Sequence, residues 1–166
     1  MRKYRTSRLV FSGILAAVLF VSQVALSFLP NIEIVSFFII LYTMILGKKV
    51  FPIIYVFVLL EGIFYGFGIW WINYLYIWSV LACIVLIFRK QKSFVFWSII
   101  SGFFGLAFGL LCSAAYLFAG GVNAALSYWI SGIPFDIVHC IGNVCVCLVL
   151  FKPMYFVLNK LAAGKF

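Results

Sequence analysis

The sequence predicts an all-α membrane protein: a single bundle of six transmembrane helices with the N-terminus and the C-terminus in the cytoplasm. Hydrophobic residues make up 67% of the 166 positions and charged residues only 9%, whereas globular domains average about 45–50% and 25%. All twelve Lys and Arg residues fall in four patches: Arg2/Lys3/Arg5/Arg8, Lys48/Lys49, Arg89/Lys90/Lys92 and Lys152/Lys160/Lys165. Hydrophobic stretches separate the patches, and no Lys or Arg lies midway between them. Because short basic loops stay in the cytoplasm, this alternation predicts six crossings.

The six spans are expected at about residues 9–29, 32–46, 50–65, 74–88, 94–118 and 134–151. Pro30 ends the first span, and Gly47 with the adjacent lysines forms the inner turn after the second. A segment rich in Gly and Trp, residues 66–73, forms the outer turn after the third.

The second half of the chain follows the same logic. Arg89 and its basic neighbours form the inner turn after the fourth span. Residues 119–132 are the least hydrophobic stretch and form the longest outer connection, and Pro134 suits the first turn of the sixth span. Six spans of about 20 residues leave no room for a soluble domain.

The basic residues and the cysteines exclude several functions. The positive charges are distributed by topology and not gathered on one face, so no nucleic-acid partner is expected. We expect the basic residues to contact anionic membrane lipid instead. The five cysteines lie inside predicted spans without CxxC spacing, which predicts neither a disulfide framework nor a metal site. The apolar run after the first patch is about 20 residues, longer than a signal-peptide core, so we expect it to be retained as a span.

Four ionisable residues lie away from the basic patches: Glu33, Glu61, Asp136 and His139. Helix rise places them about 18 to 24 Å above the nearest inner basic residue, in the outer half of a core about 30 Å thick. Ionisable groups are costly in lipid and usually face a cavity or one another. Their common depth predicts a polar pocket that opens outward.

Span six carries a polar stripe at spacings of 4, 3 and 4: Gly132, Asp136, His139 and Asn143 lie on one helix face. One interpretation is that Asp136 pairs with His139 and both only hold helices together. We favour the other, in which the stripe lines a ligand site. Glu33 has its own alternative, because at the outer end of a span it can cap the helix N-terminus.

Two further features have open interpretations. Trp70 and Trp71, beside Asn73, belong either to the interfacial aromatic belt or to a lid that stacks on a flat ligand. On span one, the pairs Gly13/Ala17 and Ser12/Ala16 are each four residues apart. Such small-residue ridges permit close helix approach, either within the bundle or to a partner membrane protein.

Two local segments resemble those of a known family. The segment Pro30-Asn-Ile-Glu-Ile-Val-Ser36, leading into Leu41-Tyr42 and Gly47, is similar to the start of span two in the substrate-binding S components of energy-coupling factor (ECF) vitamin transporters. The segment Ser131-Gly-Ile-Pro-Phe-Asp-Ile-Val-His139, followed by Gly142-Asn143 and Phe151-Lys-Pro153, resembles their final span. The predicted layout of six spans with both ends inside is also similar.

The resemblance implies a binding protein in the cell membrane without catalytic activity or cofactor of its own. It would capture a vitamin or precursor outside and dock on a transmembrane coupling subunit driven by two ATPase subunits. Family members dock through an Ala-xxx-Ala ridge on span one, for which Gly13-xxx-Ala17 is the nearest match here. The sequence has no GxxxxGK[ST] motif, which agrees with ATP hydrolysis in another chain.

We therefore expect a ligand site formed by Glu61, Asp136, His139, Asn143, Trp70, Trp71, Glu33 and Asn73. Among ligands the resemblance favours a cobalamin-type corrinoid or a fragment of one, with hydroxymethylpyrimidine, pantothenate and folate open. The alternative function is a structural membrane scaffold similar to the rod-shape protein MreD. An intramembrane enzyme or a proton-coupled carrier is disfavoured, because no ionisable residue lies between Glu61 and Lys49 on the way to the inner face.

Overall fold

The computed structural model describes the backbone of residues 2–163 and the side chains of residues 6–163. The side chains of Arg2, Lys3 and Arg5, and the whole of Lys165, lie outside this part. Within it, the elements are the helices α1 (Arg2–Leu26), α2 (Val35–Leu46), α3 (Val50–Tyr65), α4 (Ile69–Ile87), α5 (Phe94–Leu106) and α6 (Phe108–Ala162), with a 3-10 turn at Gly47–Lys49. No strand occurs among the described residues. The prediction of an all-α protein is confirmed.

Four helical stretches are long and apolar enough to cross a membrane: Thr6–Leu26, Val35–Tyr65, Ile69–Ile87 and Phe94–Ala162. Their length and composition are compatible with the predicted helical membrane protein. The second and fourth stretches, 31 and 69 residues long, exceed the roughly 20 residues that one crossing needs. Both are interrupted, the second by Gly47 with a φ of 61° and the fourth at Ala107 and at Gly121.

Helix α6 differs most from the expectation. The predicted fifth span, residues 94–118, is divided between α5 and the part of α6 before Gly121, and the predicted connection 119–132 is helical. Gly121 alone has non-helical angles within α6 (φ 76°, ψ −173°), a conformation that glycine tolerates. Pro134 accordingly lies inside a helix and not at its start. We call residues 108–120 and 122–162 the first and second arms of α6.

Helix α2 is the centre of the bundle. Ten of its twelve residues are buried, and most of its contacts with other helices are to α4 and α6. Helix α1 is peripheral: Phe11, Leu15 and Leu19 face inward, while Ile14 and Val18 are exposed on the outer surface. An apolar outer surface is what lipid-facing helices present.

Arg89, just after α4, connects two of the basic patches. Its Nε donates to the Met44 carbonyl oxygen at 2.8 Å and its Nη2 donates to the Ile45 carbonyl oxygen at 3.1 Å. These carbonyls belong to the last turn of α2, whose C=O groups have no partner within the helix. The guanidinium also lies against Gly47, where an added Cβ would meet Nη1 at 2.8 Å. The turns at residues 47–49 and 88–92 therefore share one end of the bundle.

The described residues of the other two basic patches lie at the same end. Lys152 places its Nζ 4.4 Å from the centre of the Phe94 ring, beside the third patch. Phe11, Leu46 and Leu158 border one small cavity, which brings the start of α1, the end of α2 and the C-terminal turns of α6 together. We call this the basic end of the bundle.

We expect Arg89→Ala to lower the thermal stability of the purified protein, since two charge-assisted hydrogen bonds to the end of α2 are lost. Allowing for partial solvent screening, the cost is about 1 kcal/mol. Lys90→Ala removes a neighbouring exposed charge and serves as the matched control. Equal melting temperatures for the two variants in the same detergent would show that the Arg89 contacts do not stabilise the fold.

Candidate ligand-binding site

A cavity of about 400 Å³ lies at the end opposite the basic residues. It is bordered by the last turn of α1, the connection between α1 and α2, the end of α3, the first half of α4, and α6 at Phe108 and His139. Ligand pockets in proteins typically measure about 300–1,000 Å³. The volume therefore suits a small molecule.

Glu33 and His139 form the polar base of the cavity. The His139 Nε2 lies 3.0 Å from the Glu33 Oε1, and the Ser36 backbone N–H donates to the Glu33 Oε2 at 2.8 Å. Burial raises the pKa of Glu33, but the hydrogen bond and charge of His139 together with Ser36 outweigh it, so the pKa lies below its ordinary value. An ionised Glu33 only accepts, so the His139 Nε2 carries the hydrogen. Glu33 thus serves both interpretations, as a cap of α2 and as part of the cavity.

Glu61 is the unsatisfied group of the site. It lies one turn before the end of α3, borders the cavity and is only 2% exposed. Its Oε1 has no hydrogen-bond partner among the described residues, and neither has the Nδ1 of His139. A buried polar atom without a partner costs about 1–3 kcal/mol. Both atoms are therefore positioned to gain from a bound ligand.

One wall of the cavity is a ladder of aromatic rings on α4. Trp70, Tyr74 and Trp78 follow at intervals of four residues, which places them on one helix face. The Trp70 and Tyr74 ring centres are 5.4 Å apart at 89°, and those of Tyr74 and Trp78 are 5.3 Å apart at 81°. Such edge-to-face contacts are favourable and hold each ring in place. Phe108 packs edge-on against the His139 ring at 4.9 Å, and its ring centre lies 5.8 Å from that of Trp78.

Asp136 and Asn143 do not border the cavity, contrary to the sequence expectation. Asp136 is 6% exposed and its Oδ1 accepts from the Gly109 N–H at 2.9 Å. The Asn143 Nδ2 donates to the Ser101 carbonyl oxygen at 3.1 Å. Both side chains face inward with His139, but they tie the second arm of α6 to α5 and to the first arm. His139 reaches Glu33 instead of Asp136.

Trp71 and Asn73 also lie outside the cavity lining. Successive helix residues point about 100° apart, so Trp71 turns toward α3, where its Nε1 donates to the Val58 carbonyl oxygen at 2.9 Å. The Asn73 amide hydrogen-bonds the Tyr76 hydroxyl at 2.9 Å, and that hydroxyl lies 2.6 Å from the Leu111 carbonyl oxygen. Glu61 on α3 and Trp70 on α4 therefore reach the cavity as expected, whereas Trp71 and Asn73 do not.

The four predicted docking residues of α1 separate into two faces. Ala16 is completely buried and Ser12 is partly buried, so this pair packs inside the bundle. Gly13 and Ala17 are exposed, and nothing lies within 4 Å of a Cβ added at Gly13. Only the Gly13/Ala17 ridge is on the outer surface.

Sequence reasoning missed several residues that border the cavity, chiefly Gln23, Tyr74, Trp78 and Phe108. The four-residue spacing of Trp70, Tyr74 and Trp78 was a usable signal. Gln23 was another, as a polar side chain in the outer half of the first span. Its Nε2 lies 3.5 Å from the Tyr74 hydroxyl.

Among the described residues, no group of three or more His, Cys, Asp or Glu could hold a metal ion. Searches with protein-family models, among curated proteins and among solved structures found no match.

We expect Asp136→Ala to destabilise the protein by about 1–3 kcal/mol, because it leaves the buried Gly109 N–H without an acceptor. Asp136→Asn retains an acceptor oxygen at the same place, so it should keep most of the stability. Thermal unfolding in detergent compares the two. If both variants lose the same stability, the negative charge and not the hydrogen bond is what the fold requires.

Proposed function

We propose that this protein is a membrane-embedded binding subunit that captures a vitamin or vitamin precursor from outside the cell, as S components of ECF transporters do. The observation that carries the proposal is the cavity of about 400 Å³, with the unpartnered Glu61 carboxyl and a fixed aromatic wall. A buried, unpaired carboxyl among membrane-spanning helices is energetically costly, and such groups usually mark a functional site. A ligand that hydrogen-bonds Glu61 would remove the penalty.

The proposed topology has six crossings, both termini in the cytoplasm and the cavity opening outward. It is supported by the way the chain alternates between its two ends. Glu33 borders the cavity and the turn at Gly47 contacts Arg89 at the basic end. Glu61 and Trp70 return to the cavity, and the chain then reaches Arg89. Basic residues favour the cytoplasmic side, so the cavity would face the exterior.

We propose binding without catalysis, with ATP hydrolysed by two partner ATPase subunits that act through a transmembrane coupling subunit. The packing below the cavity supports this role. Ile40, Phe57, Ile77 and Leu81 are fully or almost fully buried in the apolar core, so no polar path runs from the cavity through these positions toward the basic end. A ligand would therefore need a movement of the whole subunit to cross. The exposed Gly13/Ala17 ridge is the proposed contact for the coupling subunit.

The size of the cavity bears on the ligand. A volume near the lower limit of the usual range favours a compound with one or two rings. A complete corrinoid, with its macrocycle and axial groups, is much larger. We therefore favour a small heterocyclic vitamin or a precursor over the corrinoid that the resemblance suggested.

A structural scaffold similar to MreD is the second candidate. It is favoured by the contacts of Asp136 with Gly109 and of Asn143 with Ser101, which use predicted site residues to join helices. In that case Glu61 would have no ligand. The two candidates differ in whether the purified protein binds a small molecule.

Binding of water-soluble vitamins and their precursors to the purified protein tests the main proposal, and we expect one dissociation constant below about micromolar. Trp70→Leu should weaken that binding about tenfold, because a ring that borders the cavity is lost. Trp71→Leu is the matched control: it removes the bond to Val58 and lowers stability, but should leave the affinity unchanged. A panel without any ligand tighter than micromolar would favour the scaffold.

Orientation is tested separately by cysteine labelling in intact cells, in a variant whose five native cysteines are replaced by alanine. We expect a membrane-impermeant maleimide to label Asn123→Cys and to leave Lys90→Cys unlabelled until the cells are opened. Both positions are exposed. The reverse labelling would place the cavity on the cytoplasmic side and exclude capture from outside.

A further inference from the structure

We infer that the cavity selects a small aromatic nitrogen compound that binds as a cation, and that it rejects carboxylate ligands. This inference rests on the proposed binding function and narrows its ligand class. It depends on the charge of the lining, on the atoms left without partners and on the aromatic wall.

The charged groups that border the cavity are acidic. Glu33 and Glu61 lie in its lining together with His139, and no Lys or Arg is among the lining residues that the structure describes. The Arg89 side chain is held at the basic end by its hydrogen bonds to the last turn of α2. A ligand carboxylate would therefore meet the unpaired Glu61 carboxyl with no Lys or Arg beside it to compensate. Unpaired like charges of this kind are how sites discriminate against a competing ligand.

The two acidic groups have different roles. Both oxygens of Glu33 are already used, one by His139 and one by the Ser36 N–H. Glu61 retains a buried Oε1 with no partner in the described part of the chain. Glu61 is thus the open acceptor, and a ligand N–H⁺ group would form a charge-assisted hydrogen bond with it.

His139 adds a second open group. Its Nε2 is engaged by the Glu33 carboxylate, and its Nδ1 is buried without a partner among the described residues. Trp78 adds a donor, because its buried Nε1–H also has no partner there. The open groups therefore call for a ligand with an N–H donor for Glu61 and an acceptor for Trp78, such as a ring nitrogen.

The aromatic wall fits the same class. Trp70, Tyr74 and Trp78 line the cavity, and tryptophan is the best cation–π partner among the side chains. Their mutual edge-to-face packing fixes the rings before a ligand arrives. A flat cation between Glu61 and these rings is stabilised by the hydrogen bond to Glu61 and by cation–π attraction. An anion is repelled by the negative faces of the rings.

The test is equilibrium binding of the full chain, in detergent or nanodiscs, to vitamins grouped by charge. Thiamine and pyridoxamine are the cations, riboflavin and nicotinamide the neutral compounds, and biotin, pantothenate and nicotinate the anions. Pyridoxamine and 4-pyridoxate form a matched pair that differs in an aminomethyl group against a carboxylate. We expect a cation to be the tightest ligand, by about tenfold or more over any anion. A tight anion would overturn this inference and leave the binding function standing, whereas no ligand of any charge tighter than about micromolar would overturn both.

Two matched variants assign the selectivity to Glu61. Glu61→Gln should weaken binding of the cation roughly 10- to 100-fold, through loss of a charge-assisted hydrogen bond. Its melting temperature without ligand should be equal or higher, which shows that the variant is folded. Asp136→Asn makes the same change outside the cavity and should leave the affinity unchanged. Unaltered cation binding in Glu61→Gln, or an equal loss in Asp136→Asn, would show that Glu61 does not select the ligand.

Discussion

Hydrocarbon solvates neither charges nor unpaired polar atoms, and this constraint explains where the few polar side chains of the protein lie. The chain has few charged residues, and the fold separates the basic ones from the acidic ones. The basic side chains that the structure describes collect at one end, where Arg89 donates to the last carbonyls of α2 and Lys152 lies over the Phe94 ring. The acidic ones gather at the opposite half, where they either find partners or border the cavity.

The acidic residues differ in whether their carboxylate oxygens have hydrogen-bond partners, and this difference separates those that hold the fold together from the one proposed to bind a ligand. The Glu33 carboxylate joins the connection before α2 to the second arm of α6 through His139, and its other oxygen accepts from the first turn of α2. The Asp136 Oδ1 does comparable work at the junction of α5 and α6, where it takes the Gly109 N–H. Glu61 differs from both, since its Oε1 lies buried with no partner in the described structure. The fold holds a group there that it does not itself use.

Much of this could be predicted from the sequence, because charge alternation and span length reflect the solvent and not the details of packing. Helical character, the turn at Gly47 and the common depth of Glu33, Glu61 and His139 all followed from such counts. What failed depended on rotation about a helix axis. Asp136 and His139 share the inward face, but only His139 is turned far enough to reach Glu33 and the cavity. Trp70 and Trp71 differ in the same way, and no count along the chain decides which neighbour each one meets.

The continuity of α6 was missed for a related reason. Residues 119–132 are less hydrophobic than the spans, which suggested a loop, yet alanine and leucine within them favour a helix and Gly121 alone absorbs the change of direction. Hydropathy reports the solvent around a segment and says little about its backbone.

The contact between Gly47 and Arg89 makes the two positions unequal in what they tolerate. The backbone at Gly47 has a φ of 61°, which disfavours other residues whatever stands beside it. A side chain there would also displace the guanidinium from the carbonyls of α2. Arg89, by contrast, can change without disturbing the glycine. Gly47 should therefore be substituted less often than Arg89 during evolution, and a residue with a side chain at position 47 should be accepted only where Arg89 has already been replaced.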